Sequence, residues 1–538
     1  MADILTLRKF EALSPFEIKD ELIKLAKKTS KTSQLAFLNA GRGNPNWVAT
    51  TPREGFFLLG QFAVTESTRV MDHQAGIGGM PQASGIAARF EAWLAKHADM
   101  PGASFLSTML KYVTKTFKFD ADSFVHELVD SIIGDNYPVP DRMLEHNERI
   151  VHEYLMWAMC GAPRPTGKFD IYAVEGGTAA MCYIFKSLKA NRLLLPGDTI
   201  ALATPIFTPY VEMTHLEDYA LKVVQVAAPQ ENRFQFTDTE LKKLEDPKVK
   251  AFFIVNPGNP TGMAVSKETM GKITKLVKTQ RPDLMLLTDD VYGTFVDDFR
   301  SLLGELPQNT IGVYSYSKYF GCTGWRLGTI AIHEDNIFDK MIAKLPDAEK
   351  EALDKRYGAL TLEPRKVKFI DRIVADSRDV ALNHTAGLSL PQQVMMTLFS
   401  LSEMMDVDKR YQKACQEIVN RRFWAMIEGL GLKLEENKNY DRYYALIDFE
   451  FWARKNIGDQ AVEYLKKNIH PLDLAFRLAE DHGIVLLNGG GFAAPDWSLH
   501  VSLANLPDEA YEDIARGVRT IARGYRDAFE SSKTAPKR

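Results

Sequence analysis

The middle of the chain alternates between short apolar runs and amphipathic helical segments. The apolar runs lie at 170–174, 199–203, 251–255, 284–288 and 311–314. Continuous apolar strands of this kind are typical of a sheet that is covered on both faces. Their alternation with helical segments indicates parallel strands. We therefore predict an α/β fold in which a large domain carries a mainly parallel sheet.

Helical patterns dominate before this region, and a smaller α/β pattern follows it. The capping box at 14–17 predicts a first helix, and helical periodicity continues at 85–98 and 121–133. Helical segments at 395–430, at 458–467 and from Asp508 alternate with apolar runs at 443–447, 484–487 and 499–503. We predict four segments: an N-terminal part of the small domain (1–60), a mainly helical insertion (61–135), the large domain (136–393) and the C-terminal small domain (394–538).

Composition and charge exclude several classes of function. The 538 residues are 45% hydrophobic and 25% charged, and the net charge is −4. This balance of charge gives no indication of binding to nucleic acid or to anionic membranes, and neither is expected as a partner. The N-terminus lacks the apolar core of a signal peptide, and no apolar run could span a bilayer, so we expect a cytoplasmic protein. The four scattered cysteines argue against a disulfide framework or a zinc site, and no metal is expected.

One stretch, residues 314–328, combines a single lysine with small hydroxyl residues, aromatics and glycines. A Ser-x-Ser-Lys pattern at 315–318 is followed by Gly-x-Arg-x-Gly at 324–328. Lys318 is a candidate nucleophilic amine, because desolvation and a neighbouring cation lower the pKa of an ammonium group. Ser315, Ser317 and Arg326 are residue types that bind a phosphate. The alternative is a surface turn with a solvated lysine.

Three further motifs follow predicted strands. Gly177 and Thr178 open a helix whose free N–H groups favour a phosphate, although many helices begin in this way. The turn at 256–262, Asn-Pro-Gly-Asn-Pro-Thr-Gly, is rigid, and its second asparagine can donate to a phenolate oxygen. Asp289 and Asp290 follow the strand at 284–288, where ligands bind in open α/β sheets. Either carboxylate could keep a neighbouring ring nitrogen protonated.

Together these motifs resemble those of the class I and II aminotransferases, which are pyridoxal-phosphate enzymes of fold type I. The match in type and order covers about residues 38–505. The resemblance implies pyridoxal 5′-phosphate, bound through Lys318. Its Asp-x-x-Tyr spacing favours Asp289 over Asp290 for the pyridine nitrogen. The other implied cofactor contacts are Asn259 and Tyr292 at the 3′ oxygen, Phe207 against the ring, Gly177, Thr178, Ser315, Ser317 and Arg326 at the phosphate, and Tyr137 from a neighbouring subunit.

The resemblance implies fewer contacts to substrate. Arg42 and Gly43 lie in a loop similar to the family's N-terminal carboxylate-binding loop, although ordinary members usually lack an arginine at the position of Arg42. Arg378 is a further candidate carboxylate ligand, with a solvated helix face as the alternative. The family holds the α-carboxylate with an arginine in its last-domain strand, where this chain has His500. A histidine is a poorer clamp, because it is a single-point donor and largely neutral near pH 7. It could also be structural, with the clamp supplied elsewhere.

Chain length and the segments at 136–140, 288–295 and 502–506 are similar to a subgroup of the family that removes the β-carboxyl group of L-aspartate and also transaminates it. The expected products are L-alanine and CO2, with transamination to a 2-oxo acid as a side activity. The resemblance also implies a homo-oligomer with shared active sites, built from dimers and assemblies of dimers. The alternatives are a plain aminotransferase with altered α-carboxylate recognition and a non-catalytic assembly or regulatory protein on the same fold.

Overall fold

The computed structural model describes residues 7–11, 13–33, 35–137, 142–378 and 387–534. Within these ranges, no helix combines the length and the apolar character needed to cross a membrane. The strands are β1 (Leu38–Asn39), β2 (Phe169–Val174), β3 (Thr199–Thr204), β4 (Lys222–Ala227), β5 (Val249–Val255), β6 (Met285–Asp289), β7 (Thr310–Ser315), β8 (Gly328–His333), β9 (Tyr444–Asp448), β10 (Ile484–Val485), β11 (Leu487–Asn488) and β12 (Ser498–Ser502).

The α-helices surround these strands and also form a layer of their own. They are α1 (Pro15–Ser33), α2 (Thr50–Val70), α3 (Ile86–Lys96), α4 (Ala103–Thr116), α5 (Ala121–Ile133), α6 (Glu145–Leu155), α7 (Gly177–Ala190), α8 (Thr208–His215), α9 (Asp238–Leu241), α10 (Lys267–Thr279), α11 (Leu302–Glu305), α12 (Ile337–Ala343), α13 (Asp347–Tyr357), α14 (Phe369–Ser377), α15 (Leu390–Met404), α16 (Arg410–Gly429), α17 (Phe449–Ile457), α18 (Asp459–Asn468), α19 (Leu472–His482) and α20 (Ala510–Thr534).

A seven-stranded sheet forms the centre of the larger part. Its strand order is β2-β8-β7-β6-β5-β3-β4. Six strands run in one direction, and β8 runs against both of its neighbours. Every residue of β6, β7 and β8 is buried, which accounts for their apolar sequences. The predicted α/β class with a mainly parallel sheet is confirmed.

The two ends of the chain build the smaller part together. β1 pairs in parallel with β10, while β11, β12 and β9 form an antiparallel sheet. One buried apolar cluster joins Ile18 and Leu22 of α1 to residues between 423 and 525. The loop after β1 then returns to the larger part: Asn46 N donates to the Ala504 carbonyl, and Ala49 N donates to the Phe320 carbonyl. Residues 41–49 therefore connect the smaller part to the segment around Lys318.

Helices α2 to α5 form a separate layer. Their apolar faces share a buried cluster with α15, in which Phe62, Phe90 and Phe124 pack near Leu398. The helices predicted at 85–98 and 121–133 are present as α3 and α5. α2 passes through residue 60, where we placed a boundary between segments. The division into four segments therefore stays a prediction.

The prediction of a single helix at 395–430 is wrong, because the structure has two helices there, α15 and α16. Lys409 between them has a left-handed backbone with a φ of 53°. The Asp406 carboxylate accepts a hydrogen bond from Tyr411 N over 2.9 Å, which satisfies a free N–H group at the start of α16. The apolar periodicity continues across this break and does not reveal it.

Candidate active site

A cavity of about 180 Å³ lies where the parallel strands end. This is the edge at which open α/β sheets bind ligands. The side chains and backbone that line it are Gly177, Thr178, Met181, Phe207, Tyr210, Val255, Asn259, Asp289, Val291, Tyr292, Ser315, Ser317, Lys318, Thr323, Arg326 and Tyr444. Ten of the predicted cofactor contacts thus meet in one place, although they are spread over 150 positions of the chain.

Lys318 follows β7 and faces the N-terminal loop. Its Nζ donates a hydrogen bond to the Gly43 carbonyl oxygen over 3.1 Å. Burial, followed by the positive charge of Arg326, lowers the pKa of Lys318 to about 8, while the charge of Asp289 opposes this shift. The unprotonated, nucleophilic fraction of the amine near neutral pH is therefore much larger than for an ordinary lysine.

Asp289 is the last residue of β6 and presents its carboxylate to the cavity. Tyr210 Oη donates to Asp289 Oδ2 over 3.2 Å, and Asp289 Oδ1 has no hydrogen-bond partner among the described residues. Burial raises the pKa of Asp289 to about 6. Asp290 is fully buried away from the lining, and Thr288 Oγ1 donates to its Oδ1 over 2.5 Å. Of the two adjacent carboxylates, Asp289 alone can meet a ligand in this cavity.

The residues around the start of α7 form a part of the cavity lining that is suited to an anion. Gly177 and Thr178 begin α7, whose first N–H groups have no partner within the helix. Ser315 Oγ donates to Ser317 Oγ over 2.9 Å. The exposed Arg326 guanidinium donates to the Thr323 carbonyl over 2.8 Å. A Cβ atom at position 176 would overlap this guanidinium, so the glycine there lets Arg326 lie close to the start of α7.

Asn259, Tyr292 and Phe207 also line the cavity. Asn259 is buried, and its Oδ1 has no partner among the described residues. Tyr292 Oη donates to Tyr444 Oη over 3.3 Å. Phe207 is partly buried and lies edge-on to Phe16, with ring centroids 6.2 Å apart. These positions are compatible with the predicted ring contacts, whose roles stay predictions.

The predicted substrate residues do not line the cavity within the described part of the chain. Arg42 is exposed, while Arg378 is buried at the end of α14. Gly43 lies next to the cavity, because a Cβ atom there would overlap Tyr444 Oη and come within 2.8 Å of Lys318 Nζ. Tyr137, predicted to reach a neighbouring subunit, has 74% of its surface exposed. Residues 138–141, which follow it in the sequence, lie outside the described residues.

His500 lies on β12, and its ring packs against the ring of Tyr444. The His500 ring is 3% exposed, stacks on Phe492 with a centroid distance of 4.8 Å and lies tilted against Tyr444 at 4.5 Å. Burial and the charge of Lys318 lower the pKa of His500 to about 3, so the ring is neutral. Neither ring nitrogen has a hydrogen-bond partner among the described residues.

Tyr444 and Tyr210 are polar lining residues that our sequence analysis missed. Tyr444 lies in an apolar strand pattern, and Tyr210 belongs to a helix that follows Phe207. Buried tyrosines in such settings are usually core residues. The one available signal concerns Tyr210, which follows the carboxyl end of the predicted strand at 199–203, where ligands bind in open α/β sheets. Tyr444 begins an antiparallel strand and carries no such signal.

A sequence profile described as "Aminotransferase class I and II" matches residues 174–518. The chain belongs to the class I and II aminotransferases. The profile includes every cavity-lining residue from the start of α7 to Tyr444. Enzymes of this family depend on pyridoxal phosphate, and the family and fold type expected from the motifs are confirmed.

Similar proteins extend this assignment. A Pseudomonas protein named "Bifunctional aspartate aminotransferase and L-aspartate beta-decarboxylase" is 48% identical over 516 residues, which cover 96% of this aminotransferase and 97% of the relative. An aspartate aminotransferase of Pyrococcus abyssi is 34% identical over 157 residues, or 28% of this chain and 39% of that one. The structure of Thermus thermophilus aspartate aminotransferase with maleate aligns with a TM-score of 0.58 at 17% identity, covering 97% of this chain and 99% of that one. This structural match supports the shared fold.

The cavity of this aminotransferase fits the family's cofactor. Asn259 Oδ1 and Asp289 Oδ1 are buried polar atoms whose hydrogen-bonding capacity is not met within the described chain. Groups of this kind are costly unless a ligand or water satisfies them. The anion-binding part of the lining, the carboxylate and the amine correspond to the phosphate, ring nitrogen and aldehyde of pyridoxal phosphate. The residues present therefore suit this group.

Proposed function

We propose that this chain is a pyridoxal-phosphate enzyme that converts L-aspartate to L-alanine and CO2 and also transaminates L-aspartate. The cofactor assignment rests on the arrangement of Lys318 and Asp289, an amine of lowered pKa and a buried carboxylate that line the same cavity. The substrate and the two activities come from the name of the Pseudomonas relative, which is similar over nearly the whole chain.

Gly177, Thr178, Ser315, Ser317 and Arg326 would hold the phosphate group, and Asn259 and Tyr292 would contact the 3′ oxygen. Phe207 would pack against the ring. When bound, pyridoxal phosphate would supply an aromatic ring that accepts electrons from the carbons of the substrate. A carboxylate stabilises a proton on an adjacent ring nitrogen, and Asp289 would perform this function.

Lys318 would bind the cofactor covalently and then act on the substrate. Once substrate has replaced it, the free amine can remove the proton from Cα, because its pKa lies close to physiological pH. The hydrogen bond to Gly43 holds Nζ on the side of the N-terminal loop. We propose that Arg42 in this loop orients the β-carboxylate, and that Arg378 is a further carboxylate ligand.

Tyr137 supports a shared site. It is largely exposed and lies away from the cavity of its own chain, so it is free to contact a second copy. We propose a homodimer in which Tyr137 reaches the phosphate end of the neighbouring cavity, and larger assemblies of such dimers. A cytoplasmic location stays a prediction.

A plain aminotransferase with altered substrate recognition is the second candidate. The observation that favours it is His500, whose neutral ring cannot clamp a carboxylate with two charged hydrogen bonds. This candidate uses the same cofactor and Lys318 as the first, but it leaves the bond between Cβ and the β-carboxylate intact.

The deciding experiment incubates the purified protein with L-aspartate in the absence of an added 2-oxo acid. A β-decarboxylase releases CO2 and accumulates L-alanine, whereas a plain aminotransferase stops after one half-reaction. Lys318→Ala should abolish both activities and the visible absorbance of the lysine-bound cofactor. Lys340→Ala, a surface lysine paired with Asp335, should retain them. Absence of cofactor absorbance in the wild-type protein would contradict both candidates.

A further inference from the structure

The Tyr444 hydroxyl group has no role in the function proposed so far. Tyr444 is the first residue of β9, lines the cavity and is 3% exposed. It lies beside Lys318, because Tyr444 Oη and Lys318 Nζ are both within 2.8 Å of the position that a Cβ atom at Gly43 would take. The structure thus brings a phenol and the catalytic amine to the same side of the cavity.

The contacts of Tyr444 leave its own proton available. Tyr292 Oη donates to Tyr444 Oη over 3.3 Å, so this oxygen acts as an acceptor in the pair. The rings of Tyr444 and His500 are 4.5 Å apart, but both nitrogens of His500 lack a hydrogen-bond partner in the described chain. The Tyr444 O–H group is therefore not held by His500 and can point to a ligand in the cavity.

The environment also suits a proton donor. Burial raises the pKa of Tyr444, so the phenol is protonated across the physiological range, while the hydrogen bond from Tyr292 favours the phenolate. The neighbouring Lys318 would add a positive charge whenever its amine is protonated. A phenolate formed at Tyr444 would therefore be stabilised by this nearby cation.

Loss of CO2 from Cβ requires a proton at the same carbon. The electron pair of the broken C–C bond must end in a new C–H bond, and Lys318 already handles the proton at Cα. We propose that Tyr444 is a catalytic residue that donates its hydroxyl proton to the substrate carbon that loses CO2. The O–H bond of Tyr444 breaks, the C–H bond forms, and solvent returns the proton to the phenolate. This inference rests on the proposed β-decarboxylase function.

The test compares Tyr444→Phe with Tyr443→Phe, which removes the adjacent hydroxyl group that donates to the Gly43 carbonyl over 2.7 Å. L-Alanine and oxaloacetate formed from L-aspartate are followed by NMR, and the visible absorbance of the bound cofactor monitors the integrity of the site. General-acid catalysis contributes about 10²- to 10⁴-fold. We expect Tyr444→Phe to lower alanine formation by about 100-fold or more, while the half-transamination to oxaloacetate changes by less than about threefold. Tyr443→Phe should change both rates by the same factor.

Two results would overturn the proposal. An unchanged ratio of alanine to oxaloacetate in Tyr444→Phe would show that another group protonates Cβ. Formation of oxaloacetate without alanine by the wild-type enzyme would contradict the decarboxylase function itself, and with it the role of Tyr444. These failures are distinguishable, because the first is seen in the variant and the second in the wild-type protein.

Discussion

The Lys318 ammonium nitrogen lies 3.1 Å from the carbonyl oxygen of Gly43, to which it donates a hydrogen bond. The two residues are 275 positions apart in the chain. β1 and the C-terminal strands hold the loop that contains Gly43, and β7 positions Lys318. The contact therefore makes the geometry of the lysine depend on the smaller part of the molecule.

The first prediction concerns Gly43. In Gly43→Ala the new methyl group would overlap Tyr444 Oη and crowd Lys318 Nζ, and overpacking of this kind costs about 1–3 kcal/mol. Relief of this overlap by displacement of Tyr444 Oη and Lys318 Nζ would place the cost on the active site, so we expect kcat/KM to fall by up to roughly 150-fold, since about 1.4 kcal/mol corresponds to a factor of ten. The matched control is Gly271→Ala in α10, where nothing lies within 4 Å of the added Cβ. A Gly43→Ala variant with wild-type kinetics would contradict the close packing described here.

The second prediction concerns the ionisation of Lys318. Because its pKa is lowered to about 8, the rate at which cofactor-free protein reacts with pyridoxal phosphate should rise with pH to a midpoint near 8. Arg326→Gln removes a cause of the lowering and should move the midpoint upward, whereas Asp289→Asn removes the opposing charge and should move it downward. The measurement is the pH dependence of the reaction rate. A midpoint above pH 10 in the wild-type protein would exclude this environment for Lys318.

The third prediction links Asp290 to stability. Burial raises the pKa of Asp290 from 3.8 to about 8, so the folded state binds this proton more tightly than the unfolded state. The group's contribution to the free energy of unfolding is fully present below pH 4 and is lost as pH rises towards 8. The loss is about 5 kcal/mol, because one unit of pKa shift corresponds to about 1.4 kcal/mol. Asp290→Asn should remove this loss and retain the acceptor for Thr288.

Urea unfolding of wild-type protein and Asp290→Asn at pH 5 and pH 8 measures the effect. The variant should gain stability relative to wild type as pH rises. Asp283→Asn is the control, because a hydrogen bond from Arg281 lowers the pKa of Asp283. This variant should not gain stability relative to wild type as pH rises. A constant difference between wild type and Asp290→Asn at the two pH values would show that this carboxyl group is not neutral in the folded protein.

The sequence was sufficient to predict most of the residues that line the cavity, because strand ends and short motifs are local features. Asn259, Asp289, Ser315 and Lys318 each follow or end an apolar strand, and such ends meet at one edge of a parallel sheet. The choice of Asp289 over Asp290 rested on family spacing, and the positions of the two carboxylates are compatible with it. Asp289 faces the cavity, while Asp290 turns to Thr288.

Long-range packing was not predictable in the same way. Tyr444 reaches the cavity because β9 pairs with β12 in the smaller part, which then packs against the loop of Gly43. No local pattern encodes that meeting. The antiparallel strand β8 was also missed, since its apolar sequence begins at the Gly328 that we assigned to the lysine motif. The aromatic packing of His500 likewise arises only in the folded chain, as does its lack of hydrogen-bond partners among the described residues.

The fourth prediction tests Arg42. If its guanidinium orients the β-carboxylate of L-aspartate, Arg42→Ala should raise KM for L-aspartate and slow decarboxylation by about tenfold or more, because charged hydrogen bonds contribute about 1.5–3 kcal/mol. Transamination of L-alanine, which has no β-carboxylate, should change little. Arg233→Ala removes an exposed arginine paired with Glu435 and is the matched control. Equal kinetics of Arg42→Ala and wild type with L-aspartate would contradict this role.

The fifth prediction concerns His500 and the α-carboxylate. A neutral imidazole offers at most one uncharged N–H donor to this group, whereas an arginine offers two charged ones. If the α-carboxylate faces His500, His500→Arg should lower KM for L-aspartate by about tenfold, after the cost of burying the charge offsets part of a gain of about 1.5–3 kcal/mol. His500→Gln supplies an uncharged donor and should behave like wild type.

The discriminating substrate is the α-amide of L-aspartate, for which the arginine brings no advantage because the amide is uncharged. A fall in KM for the acid but not for the amide would locate the α-carboxylate beside β12, and equal effects on both would exclude it from that position.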